Sequence, residues 1–169
     1  RRCALGRVGA CARISLHPYA LSGHRASFGG THDEAVAQLE KNTYPMLLIK
    51  GVEMTRGAQT YGHYNCLFLN DANTVYDRDL KTALGKVREQ GGFIIHNHPG
   101  WKRKTADKNE QHEELYNAGL IDGVEVVNGH TFYPPIVRRC LDEKLTMFAN
   151  TDIHGISNYH RISTDTFRT

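Results

Sequence analysis

Six residues in this sequence carry side chains that bind divalent metals and stand where a fold could gather them: Glu53, His63, His96, His98, Asp152 and His154. The chain has 10 His among 169 residues, and their positions matter more than the count. A metal site needs three or more donors within about 2.0–2.2 Å of one ion, so the test is convergence. Taken singly, each residue has an ordinary reading. Glu53 reads as an exposed loop carboxylate, and His63 as a hydrogen-bonded or solvent-facing histidine at a strand start. His96 and His98, two apart on an extended segment, are expected on one face, and Asp152-x-His154 has the same spacing. Imidazole and carboxylate together, without paired thiols, suit Zn, Mn or Fe. A carboxylate such as Glu53 can also bridge two ions through its two oxygens.

Short apolar runs position these residues. Strands are expected over 46–52, 63–69, 93–95, 123–127 and 146–149, with turn residues such as Asn70-Asp71-Ala72-Asn73 behind the second. Glu53 then lies just past the first strand, His98 past the third, and Asp152 and His154 past the last. Helices are expected over 31–41, capped by Thr31 or Asp33, and over 77–90, where Leu80, Leu84 and Val87 share a face before Gly91-Gly92. Two more are expected over 109–117 and over 134–143, the latter with Pro at its start. Strands alternating with helices predict an α/β domain with a largely parallel sheet, barrel-like rather than open, whose strand carboxyl ends share one mouth. No Gly-rich phosphate loop follows the first strand, so a nucleotide fold has little support.

Composition narrows the function classes. Hydrophobic residues at 40% and charged residues at 23% fit one ordinary globular domain. A net charge of +3 suits a small anionic substrate, whereas Lys102-Arg103-Lys104 is the one tight basic run and no nucleic-acid partner is expected. No apolar stretch reaches transmembrane length and no membrane association is expected. No signal peptide is visible, but the chain does not begin with Met, which leaves a cytoplasmic or an exported location open. Cys3, Cys11, Cys66 and Cys140 are scattered, and Cys66 and Cys140 are expected as buried free thiols. Residues 1–30 hold five Arg, five Ala and five Gly without a clear period, and yield no element beyond a short strand at 12–16.

The segments Gly51-Val52-Glu53-Met54-Thr55-Arg56, Gly62-His63-Tyr64-Asn65, Asn97-His98-Pro99-Gly100-Trp101, Gly123-Val124-Glu125-Val126-Val127-Asn128-Gly129 and Thr151-Asp152-Ile153-His154 occur in this order. The series resembles the ordered motifs of the PHP (polymerase and histidinol phosphatase) superfamily, and within it the bacterial Sb-PDE-type phosphodiesterases, over residues 31–154. The resemblance implies a distorted (β/α)7 TIM-like barrel, incomplete here at both ends, with two or three divalent metals. It implies that Glu53 bridges two metals, that His63 and His98 hold the second, and that Asp152 and His154 serve the first and third. His154 and Arg56 are the expected catalytic residues, Arg56 as an anchor for phosphate charge together with Lys102. Trp101 and Tyr133 are candidates to wall the substrate, while Glu125 and His96 are expected behind the ligands.

The family's opening His-x-His has no counterpart in residues 1–30, where His17 and His24, with His32 just beyond, have other spacings. Two explanations follow: a fragment whose amino end is replaced, or a degenerate member of the family. Residues 1–30 are accordingly set apart from a partial metal-dependent hydrolase domain over 31–169. The expected function is hydrolysis of a small phosphate ester by metal-activated water, with a metal-binding module lacking catalysis as the alternative.

Overall fold

The computed structural model describes residues 49–152. The 1–30 segment, the helix expected over 31–41, the first part of the 46–52 strand and His154 lie outside the described residues. The chain runs β1 (Gly51–Thr55), β2 (His63–Leu67), α1 (Leu80–Glu89), β3 (Phe93–Asn97), α2 (Glu110–Asn117), β4 (Gly123–Asn128), β5 (Thr131–Phe132), α3 (Pro134–Glu143) and β6 (Thr146–Asn150).

Capping chemistry sets the helix ends. Asp79 accepts the Thr82 N–H at 2.7 Å and starts α1, while Asp77 turns back to the Asp79 N–H and stays outside the helix. The helix stops at Gly91, whose φ of 74° is a left-handed conformation that glycine adopts without strain. In α2 the Asn109 side chain accepts the His112 N–H, and His112 Nδ1 accepts the Asn109 N–H, a reciprocal capping box. Pro134 opens α3, where a missing N–H is harmless.

The sheet is mixed, not largely parallel. β1–β2 and β2–β3 are antiparallel, and β3–β4 and β4–β6 are parallel. β5 turns back antiparallel against the end of β4. The connection over 56–62 is too short for a parallel crossover, so β1 and β2 form a hairpin. Two reversals leave β1, β3, β4 and β6 pointing the same way, with β2 opposed. The amino end of β2 and the carboxyl ends of the other four therefore meet at one edge.

Alternation divides the two faces of the sheet. Val52, Met54, Tyr64, Cys66, Ile94 and Val124 are buried in one apolar cluster with Leu80, Leu84 and Val87 of α1, Leu115 of α2 and Ile136 and Cys140 of α3. The three helices among the described residues thus cover a single face. Cys66 and Cys140 are free and buried there, as expected. The opposite face carries Glu53, His63, Asn65, Asn97 and Glu125.

Candidate metal centre

The antiparallel register puts Glu53 opposite Asn65, Thr55 opposite His63, and His63 opposite Asn97. Glu53 is the third residue of β1, not a residue beyond it, because the strand runs on to Thr55. His98 follows the last residue of β3 with φ 27°, so it leaves the alternation of the strand. This departure turns its ring toward His63, with centroids 4.8 Å apart. One ligand atom from each of Glu53, His63 and His98 falls within 4.8 Å of the others, with the Glu53 carboxylate 3.1 Å from His63 Nδ1. Donors about 2.0–2.2 Å from one ion stand at most about 4.4 Å apart, so a shift of about half an ångström closes the set.

Electrostatics favour the ligand-competent forms. Burial opposes ionisation of Glu53, but the His63 hydrogen bond and the charges of His63 and His98 outweigh it and hold the carboxyl below its ordinary value. Burial, helped by the neighbouring His63, also lowers the His98 imidazole, so the neutral ring is favoured. Beside them Asn65 and Asn97 have buried Oδ1 atoms with no hydrogen-bond partner among the described residues. A carboxylate, two imidazoles and two orphaned oxygens on one face fit a divalent cation and its bound water, which would take up what the protein leaves unpaired.

Glu125 braces the site from β4. Its carboxylate accepts the His98 backbone N–H at 2.6 Å, the Asn150 side chain at 2.6 Å and the Asn128 side chain at 3.0 Å. Burial outweighs the pull of these three donors and holds its carboxyl above the ordinary value. All three meet acceptor lone pairs, which suits the ionised form. Asp152 lies past β6 with φ 51°, near enough to His98 for its charge to favour the imidazolium there. Trp101 stands beside both histidines, with ring centroids 5.1 Å from His63 and 5.3 Å from His98. The Lys102 ammonium sits 4.2 Å from the centre of the indole.

Two expected residues go elsewhere. His96 lies on the helix-covered face, stacked on Tyr64 and bonded through Nδ1 to the Tyr116 hydroxyl at 3.0 Å. It does not share a side with His98, because the alternation that would have paired them ends at Asn97. The Arg56 guanidinium donates to the carbonyls of Thr55 at 3.0 Å and Asp77 at 2.8 Å, which ties it to the loop before α1. Asn65, Asn97 and Asn128 stand in the motifs without an assigned role, and Asn150 emerges only from the structure. The available signal was their spacing from the ligands along the strands.

No protein-family model matches the chain, and no curated protein matches it significantly. Among solved structures, a two-domain protein from Bacteroides vulgatus ATCC 8482, described as containing a predicted PHP-like metal-dependent phosphoesterase, is 35% identical, with a TM-score of 0.72 over 83% of this chain. The chain spans 42% of that protein's length. A putative metal-dependent phosphoesterase from Bifidobacterium adolescentis ATCC 15703 is 12% identical, with a TM-score of 0.49 over 73% of each chain.

Proposed function

This chain belongs to the PHP superfamily, and from that premise we propose that it binds divalent metal at Glu53, His63 and His98 and hydrolyses a small phosphate ester. The convergence of those three ligand atoms within 4.8 Å carries the reading. When bound, divalent ions supply a water of lowered pKa and neutralise phosphoryl oxygens. The chain's own residues do the rest. Glu53 offers an ionised carboxylate, Glu125 fixes the backbone of His98, and Trp101 walls one side of the site. Lys102 sets a positive charge at the rim, where an anionic ester would enter.

Zn, Mn or Fe suits the donor set, and two or three ions would need Asp152 and His154 as further ligands. His154 is proposed here on the Asp-x-His motif alone. The sheet, with ligands on one face and helices on the other, is consistent with one wall of a distorted (β/α)7 barrel. The ordered motifs support a phosphodiester as substrate, in the manner of the Sb-PDE-type enzymes.

Elemental analysis and hydrolysis of bis(p-nitrophenyl) phosphate test the proposal together. Bound metal, and turnover lost on chelation and restored by Mn²⁺ or Zn²⁺, are expected, with His98→Ala losing both. Metal without turnover supports the catalytically silent module instead. A chain that takes up no metal on reconstitution overturns both.

A further inference from the structure

The two imidazoles of the metal centre are borne by segments at one edge of the sheet, one entering β2 and one leaving β3. Ladder pairing with β2 ends at Asn97, so His98 and the loop behind it need other restraints. On the far side of the sheet one polar cluster touches both segments. Asn109 Nδ2 donates to the carbonyl of Thr60 at 2.7 Å and more weakly to that of Gln59 at 3.4 Å, within the turn that delivers His63. That turn is closed on itself by the N–H groups of Thr60, Tyr61 and Gly62, all donating to the Gly57 carbonyl. The Asn109 backbone N–H reaches His112 Nδ1 at 3.2 Å, and Arg103 Nη1 approaches the same nitrogen at 3.5 Å. Arg103 then donates to the carbonyl of Pro99, the residue after His98, at 3.0 Å, and to that of Asp107 at 2.7 Å.

We propose that Asn109 and Arg103, bridged by His112, are positioning residues that lock the His63 and His98 segments in ligand geometry from behind the sheet. The inference rests on the metal reading above and deepens it. Sheet pairing fixes the separation of the β2 and β3 backbones, but it does not reach Pro99 or Thr60. The Asn109–His112–Arg103 chain reaches both. His98 is held by Glu125 through its own N–H and by Arg103 through the next carbonyl. Loss of either restraint lets the ring rotate away from His63.

The capping role of Asn109 can be separated from its bridging role. Asn109→Ser keeps a side-chain oxygen for the α2 cap and removes the Nδ2 that reaches Thr60 and Gln59. The full chain is titrated with Co²⁺, and affinity and visible absorption spectrum are read beside the thermal melt of the metal-free protein. Asn109→Ser is expected to bind cobalt about tenfold more weakly, with a changed ligand-field spectrum and an unshifted metal-free melt. Arg103→Lys keeps the charge but cannot span two carbonyls, and should give the same change independently. Variants that match wild type in affinity and spectrum overturn the positioning role alone. Wild-type protein that binds no cobalt overturns the metal centre, and this inference with it.

Discussion

The backbone N–H of His98 donates to the carboxylate of Glu125 at 2.6 Å, joining residues 27 positions apart. This bond crosses from the end of β3 to the middle of β4 and fixes a residue whose own φ of 27° no strand would impose. Glu125→Gln places an amide donor among three donors, so one bond is lost and a repulsion gained. Metal affinity should fall about 10- to 100-fold, and stability by about 1–3 kcal/mol. Calorimetric titration and urea unfolding read the two effects separately.

His112 gives the fold a pH dependence. Burial, with Arg103 beside it, lowers its pKa from 6.5 to about 4. Between those values the unfolded chain binds more protons than the folded one, so stability is present above pH 6.5 and is lost as pH falls toward 4. The slope is at most about 1.4 kcal/mol per pH unit from this group, and the buried His96 adds in the same direction. His112→Gln retains an acceptor for the capping box and should flatten the decline in urea midpoint between pH 7 and 5.

Arg56 is a structural residue in this arrangement. Arg56→Gln removes the bond from its guanidinium to the Asp77 carbonyl and should lower stability by about 1–2 kcal/mol. Cobalt affinity should stay at the wild-type value. A large rise in KM for a phosphate ester at unchanged stability would place Arg56 in the site after all.

Leu84 marks the core under α1. It is fully buried against the helix-covered face of the sheet, and Leu84→Ala should destabilise by about 2–5 kcal/mol. A thermal melt within 1–2 °C of wild type would show that the core is not centred there.

The sequence was most legible where local chemistry decides structure. α2 and α3 follow from Asn109 and Pro134, and the end of α1 from Gly91. β4 follows from an apolar run that starts at Gly123. Direction was not legible, because a run such as 63–67 reads the same whichever way it pairs. Only the short 56–62 link hinted that β2 opposes β1. Side-chain facing failed at His96 for a related reason. Two-residue spacing holds only while the strand continues, and the turn at His98 breaks it. Glu53, His63 and His98 meet because β2 is antiparallel, which brings its amino end to the edge where β1 and β3 end.

The hairpin and the following antiparallel return place all three convergent ligands on β1, β2 and the end of β3, between positions 53 and 98. An ion held there closes two modest loops, from 53 to 63 and from 63 to 98, and takes none of these three ligands from β4 to β6. Its binding energy would therefore act as a clasp on the amino-terminal half of the sheet. Metal should slow amide exchange in β1 and β2 more than in β6.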